Sequence, residues 1–134
     1  MKKIVTIPDY ERLLARRYYA LLQAKMPEIV EHFFCELMYA QLLEQTKISE
    51  SVITMNSKVL LKELRSGRQI ELIITYPEEA NDQERKVSVF STIGSALLGR
   101  IVGDRVSWKI KDRVAEFEIL NVTYQPEAVG DYDL

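Results

Sequence analysis

The chain has 134 residues, 47% of them hydrophobic and 28% charged, which suits one ordinary globular domain or two small units sharing a core. Its net charge of −2 is evenly spread: residues 1–49 hold seven Lys/Arg against six Asp/Glu, and residues 50–134 hold eleven against fourteen, so neither half has the dense basic face that phosphate neutralisation needs, and no direct DNA or RNA binding is expected. No apolar run approaches the roughly 20 residues that span a bilayer, and the opening MKKIVTIPDYERL turns charged too early for a secretory signal, so a cytoplasmic protein without membrane contact is expected.

Thr6-Ile7-Pro8-Asp9 has the form of a capping box, with Thr6 accepting from the Asp9 amide, the Asp9 carboxylate reaching back, and Val5 and Tyr10 as the flanking staple. A helix therefore starts at Ile7. Its apolar positions Tyr10, Leu13, Leu14, Tyr18, Leu21 and Leu22 recur at three and four and form a stripe on one side. The pattern pauses over 23–26. Pro27 then suits a first helical turn, and Ile29, Val30, Phe33, Phe34, Leu37 and Met38 repeat the helical spacing to about Gln45. Two such helices joined by a short turn make an antiparallel hairpin over residues 1–48, a short coiled coil whose stripes face each other. Self-association through this hairpin stays open. His32 and Cys35 fall i,i+3 on the second helix, where the cysteine reads as a small packed hydrophobe and the histidine as lying beside the apolar stripe. One cysteine excludes an internal disulfide, and with one histidine and no CxxC pair there is no zinc spacing, so no metal or other cofactor is expected.

After Lys47 the period changes from about 3.6 to 2. Ser57 to Leu64 is a weak strand turned at Ser66-Gly67, and Ile70, Leu72, Ile74 and Tyr76 alternate with polar residues as a half-buried strand. Pro77 to Glu84 is an exposed polar loop. Ser91 and Thr92 can cap the orphan amides of a short helix opening at Ile93, Gly99 sits where a left-handed stop is wanted, and Gly103-Asp104 turns the chain into the strand Arg105 to Lys111. In that strand Trp108 shares its face with Val106 and Ile110 and is expected to be buried. From Arg113 to Tyr124, Ala115, Phe117 and Ile119 lie on one parity and Leu120, Val122 and Tyr124 on the other, which implies a bulge near Ile119 or Leu120, or coverage on both faces. Strands with one short helix among them, preceded by the hairpin, make an α+β architecture.

The order Ser91, Ile93, Gly94, Ala96, Leu97, Leu98, Gly99, Val102, Gly103, Asp104 resembles the C-terminal domain of the bacterial transcript-cleavage factors GreA and GreB. VITMNSKVLLKEL from Val52 and YQPEAVGDYDL from Tyr124 narrow the resemblance to a shorter branch of that family, the regulators of nucleoside diphosphate kinase. The resemblance covers the last 85 residues or so and the first 48 only in outline. It implies an FKBP-like antiparallel β-sheet domain over 49–134, with one short helix and without prolyl isomerase activity, following the helical hairpin. It also implies that the loop before the short helix, here Ser91, Thr92 and Ile93, meets the rim of the RNA polymerase secondary channel. The family commonly has proline where this chain has Thr92.

Transcript cleavage in the family depends on two acidic residues at the hairpin tip that help to hold a magnesium ion in the polymerase. The acidic pair nearest the turn here is Glu28 and Glu31, i,i+3 on one helical face and able to offer oxygen ligands, though carboxylates in a first helical turn are also stabilised by the helix dipole alone. A helix from Ile7 to about Lys25 is about 28 Å long, shorter than the Gre hairpin. The expectation is a non-enzymatic binder of core RNA polymerase that occupies the channel rim and competes with cleavage factors. The alternatives are a compact cleavage stimulator using Glu28 and Glu31, or an interaction module unrelated to polymerase. The acidic end, Glu127, Asp131 and Asp133 around Gly130 and Tyr132, reads either as a solvated tail with Tyr132 packed back on the sheet or as a second polymerase contact.

Overall fold

The computed structural model describes residues 2–133; Met1 and Leu134, the ends of the two expected units, lie outside them. Strand β1 (Ile4–Thr6) runs directly into helix α1 (Ile7–Ala15). Thr6 is the extended N-cap, its Oγ1 accepting from the Asp9 amide at 3.2 Å, with Pro8 in the first turn. The Asp9 carboxylate is engaged across the fold, where Oδ2 accepts from the Met55 amide at 3.1 Å.

The spacing predicts one helix to about Lys25, but α1 gives way after one residue to α2 (Arg17–Gln23). Arg16 interrupts the ladder. Its Nη1 donates to the Arg12 carbonyl at 3.2 Å, the acceptor that its own amide would take in an α-helix, and that amide bonds Leu13 at 3.0 Å instead. Helix α3 (Pro27–Met38) opens on Pro27 as expected and stops at Met38, short of Gln45. The residues beyond form β2 (Gln41–Leu43), parallel to β1, with the Gln41 amide bonded to the Lys3 carbonyl at 2.8 Å. The helices are thus the crossover between two parallel strands, leaving along α1 and α2 and returning along α3. Only one edge of the first apolar stripe is covered: Leu13 is buried, Tyr10 and Leu21 are half-buried, and Leu14, Tyr18 and Leu22 are exposed. On α3, Val30, Phe33, Phe34 and Leu37 are buried, whereas Cys35 and His32, expected beside them, are exposed, with His32 Nε2 3.6 Å from the Glu36 carboxylate.

The second part of the chain builds a five-stranded sheet from β3 (Lys58–Glu63), β4 (Gln69–Thr75), β5 (Lys86–Ser88), β6 (Arg105–Ile110) and β7 (Arg113–Tyr124), in the order β5-β4-β3-β7-β6. The pairings among β4, β3, β7 and β6 are antiparallel. The edge strand β5 runs parallel to β4, which corrects the expectation of a wholly antiparallel sheet; three residues are too few to carry a readable period. The parity slip in β7 is a bulge: Leu60 faces Asn121 and Leu61 faces Ile119, leaving Leu120 without an opposite number. One face of this sheet buries Val59, Leu61, Leu72, Ile74, Val106, Trp108, Phe117 and Ile119, with Trp108 stacked on Phe117 at 4.5 Å between centroids. Helix α4 (Thr92–Leu97) adds Leu97 to the same core, which also takes Leu13, Phe33 and Leu37 from the helical crossover. The architecture is α+β, with both parts of the chain in one core.

Two buried polar clusters fasten the parts together. The Lys3 ammonium, fully buried, donates to the carbonyls of Ser95 and Leu98 at 2.7 Å each, closing the C-terminal end of α4. Glu36 of α3 lies 3.9 Å from it, and burial pulls the amine down to about 8 against the opposing pull of that carboxylate. Gly99, at φ +80°, passes so close that a Cβ there would sit 2.6 Å from the Lys3 Cβ. In the second cluster Thr54 donates to the Glu127 carboxylate at 2.7 Å and shares a 2.8 Å bond with Ser57, beside Asp9 on the Met55 amide. Gln125 Nε2 donates to the carbonyls of Ser49 and Val52 at 2.7 and 2.8 Å. Glu127 is therefore part of the interior, which corrects the reading of the acidic end as solvated, while Asp131, Tyr132 and Asp133 are exposed.

Candidate functional site

The loop from Ser88 to Thr92 is held by its own hydrogen bonds. Ser91 Oγ donates to the Ser88 carbonyl at 2.6 Å and accepts from the Gly94 amide at 3.0 Å, so Ser91 is the N-cap of α4 and Thr92 its first residue. Gly94 is required by proximity rather than by its dihedral angles, since a Cβ there would lie 2.1 Å from the Ser88 carbonyl oxygen. Phe90 anchors the loop to the helical crossover, stacked on Phe34 at 5.7 Å and edge-on to Phe33 at 5.8 Å. Arg17 of α2 completes this aromatic group, its guanidinium 5.8 Å from the Phe34 centroid.

Between this loop and the α2–α3 turn lies a groove of about 370 Å³. One wall is Ser88, Phe90, Ser91 and Thr92; the other is Ala20, Ala24, Lys25, Met26, Ile29 and Val30, with Pro77 at its side. The lining is mainly apolar, with hydroxyls on one wall and a lysine on the other. Such a groove suits an apolar side chain of a partner flanked by groups that can meet hydroxyl donors or an ammonium. Arg16 braces the neighbouring segment, bonding Glu78 Oε1 at 2.8 Å and lying 3.9 Å over the Tyr76 ring, and the same contact holds the Glu78 carboxyl below its usual range.

The residues singled out from sequence divide at this groove. Ser91 and Thr92 line it; Ile93 is half-buried, packs against the core and is not part of the lining. Glu28 and Glu31 are exposed on the first two turns of α3, outside the lining, and neither makes an ion pair among the described residues. Their neighbours Met26, Ile29 and Val30 form the wall. Sequence reasoning missed those three and Phe90 because Ile29 and Val30 were already explained by helix packing, Met26 fell in the pause of the pattern and Phe90 in the loop before the short helix. The signal that was available is the spacing: Met26 and Ile29–Val30 flank Pro27, at the turn that faces the loop.

Residues 48–124 match the family described as transcription elongation factor GreA/GreB, C-terminal. The chain is 37% identical over 105 residues to the regulator of nucleoside diphosphate kinase of Escherichia coli K12, covering 78% of this chain and 77% of that one. It is 33% identical over 86 residues to the transcription elongation factor GreA of Clostridium acetobutylicum, covering 64% of this chain and 54% of the relative. A solved GreA/GreB elongation factor from Nitrosomonas europaea superposes with a TM-score of 0.78 at 29% identity, over 92% of this chain and 99% of that one. With more than half of its length inside the family's C-terminal region, the chain belongs to the GreA/GreB transcription elongation factor family.

Proposed function

We propose that this protein is a transcription regulator that binds core RNA polymerase at the rim of the secondary channel and competes there with Gre cleavage factors, without stimulating cleavage itself. The observation that carries the reading is the groove: the Ser91–Thr92 loop of the family region forms one wall, and the turn of the helical crossover forms the other. In this reading residues 49–134 act as the FKBP-like docking domain and residues 1–48 as the arm that covers the channel. The arm is short. Its returning helix α3 has 12 residues, about 18 Å at about 1.5 Å each, and its two exposed carboxylates, Glu28 and Glu31, make no ion pair among the described residues. Electrostatic help to phosphoryl transfer requires ligands in direct coordination of the metal, so an arm that stops short supplies almost none.

The test is a backtracked elongation complex with magnesium. The protein is expected to leave its own RNA-cleavage rate unchanged and to slow cleavage driven by GreB, and to co-sediment with core enzyme until GreB displaces it. Thr92→Asp probes the groove. An acidic residue in the first turn of α4 is favoured by the helix N-terminus, so folding should survive while a charge enters the apolar groove and polymerase affinity falls roughly tenfold or more. Accelerated cleavage, abolished by Glu28→Gln with Glu31→Gln, would make the chain a compact cleavage factor instead. Failure to bind core enzyme at all would leave a partner unrelated to polymerase.

A further inference from the structure

The groove beside the Ser91 loop is mainly apolar and carries charge of one sign only. Its lining includes Lys25 and no carboxylate. A second cation stands at the other end of the α2 wall. Arg17 and Ala20, three residues apart, fall within about 60° of each other on α2, and Ala20 lines the groove. The Arg17 guanidinium lies 5.8 Å from the Phe34 ring, and Phe34 stacks on Phe90 of the facing wall. Helix α2 has seven residues, about 10 Å at about 1.5 Å each, with Arg17 as its first residue and Lys25 just past its end, so the two cations bracket this wall. Neither makes an ion pair among the described residues. The side chains of Gln23 and Thr92, which also line the groove, make no hydrogen bond among the described residues, which leaves an amide and a hydroxyl donor unspent.

The carboxylates around the groove do not cancel this charge. At about 100° per residue Glu28 and Glu31 are centred on the side of α3 opposite Ile29 and Val30, and Glu78, beside Pro77, is held by Arg16 at 2.8 Å. An apolar lining bracketed by unpaired cations is complementary to an apolar side chain flanked by carboxylates, and it rejects a basic segment. We propose, on the reading of this groove as the contact face, on which the proposal rests, that its occupant is an acidic, apolar segment of the partner protein, with a leucine-like side chain against Ala20, Ala24 and Phe90 and carboxylates meeting Arg17 and Lys25. A nucleic acid strand fits less well, because two cations on a mainly apolar lining do not make the dense basic track that phosphates require. Arg17 and Lys25 are in this assignment the residues that select the partner, and both lie outside the Ser91 loop.

Nuclear magnetic resonance titration of the isotope-labelled chain with three blocked hexapeptides tests the groove. Glu-Glu-Leu-Leu-Glu-Glu should move the amide signals of Met26, Ile29, Ser91 and Thr92 saturably. It should bind roughly tenfold more tightly than either Lys-Lys-Leu-Leu-Lys-Lys or Glu-Glu-Gly-Gly-Glu-Glu, and its advantage over the lysine peptide should shrink as salt is added. Arg17→Glu with Lys25→Glu should reverse the charge preference, and Arg17→Lys with Lys25→Arg should keep it. Both side chains are exposed, so far-UV dichroism should be unchanged. Equal binding of the glutamate and lysine peptides overturns the proposal, as does binding that needs no leucine. So do groove signals that no peptide moves, or displacement of the acidic peptide by oligouridylate, which would make the site one for nucleic acid. Core RNA polymerase, titrated in parallel, separates this failure from that of the functional reading. An acidic peptide held in the groove by a chain with no affinity for core enzyme keeps the partner chemistry and removes polymerase. Core enzyme bound equally by the wild type and the double charge reversal keeps polymerase and removes the acidic segment.

Discussion

The sheet and the helical crossover use apolar residues of the same kind with different results. On β6 and β7 the inward residues Val106, Trp108, Ala115, Phe117 and Ile119 are buried, with Ile110 at the end of β6 exposed beyond the cover, and the positions between them on β6, Arg105, Ser107 and Lys109, are exposed. On α1 and α2, Leu13 is fully buried and Leu14, one residue later, is exposed. A pleated strand has two faces, and the alternation decides each position along the stretch where one face is covered. A helix has a continuous circumference. Its apolar arc can be wider than the surface it packs on, and the sequence does not say which edge of the arc is left over. Here the sheet, α3 and α4 lie on one side only, so the Leu14–Tyr18–Leu22 edge faces outward.

The largest effect is expected where alternation and burial agree. Trp108 is buried and stacked on Phe117 with the ring planes 11° apart, and its removal leaves a cavity beside Phe117. Trp108→Ala should cost about 3 to 5 kcal/mol in urea denaturation. The native tryptophan emission should be blue-shifted and poorly quenched; red-shifted, readily quenched emission would break the contrast at its strongest point.

Most of the sheet was legible because its strands are long enough to show a period. The bulge at Leu120 was visible as a parity slip, and the cap of α4 as Ser91 and Thr92 before a helix. The three-residue strands were not. Gln41–Leu43 continues the apolar spacing of α3, and its assignment to β2 depends on pairing with Ile4–Thr6, which the local pattern does not reveal. The groove was half legible for the same reason: the Ser91 wall carries a local capping signature, whereas the facing wall of Met26, Ile29 and Val30 comes from some 60 residues earlier in the chain and is brought there by packing. The joint of Asp9, Thr54 and Glu127 lies in three separate segments. Each residue had a local explanation as a cap, a loop or a tail.

That joint gives the second prediction, smaller than the first and opposite in sign. Burial raises the Asp9 carboxyl from 3.8 to about 6, the Met55 amide partly opposing and the Glu127 carboxylate adding to the rise. The folded state therefore holds the Asp9 proton more tightly than the unfolded chain does. The stability this group contributes is greatest at low pH and is lost as pH rises from about 4 to 6. Asp9→Asn keeps an oxygen for the Met55 amide and has no charge to bury. It should be more stable than wild type at neutral pH by up to about 3 kcal/mol, with the gap closing on acidification to pH 4. A gap that is constant between pH 4 and 7.5 would mean that the carboxyl ionises in the fold as it does in water.

The smallest effect belongs to the uncovered helix edge. Leu22→Ala removes a side chain that touches mainly solvent in the monomer, and alanine is at least as good a helix former, so in dilute solution the change in stability should stay within about 0.5 kcal/mol. The matched substitution Leu13→Ala, nine residues earlier on the covered edge, should cost about 2 to 5 kcal/mol. The pair separates the two uses of one apolar pattern with the residue type held constant. Concentration sharpens the comparison: if two copies meet on this edge, association stabilises the wild-type chain by mass action, and the wild type should melt progressively higher than Leu22→Ala as both are concentrated. Equal melting temperatures in dilute solution that separate on concentration locate the role of Leu22 in the contact between copies. A loss already present at high dilution would place Leu22 in the core of the single chain, and the contrast between helix and sheet drawn here would be wrong.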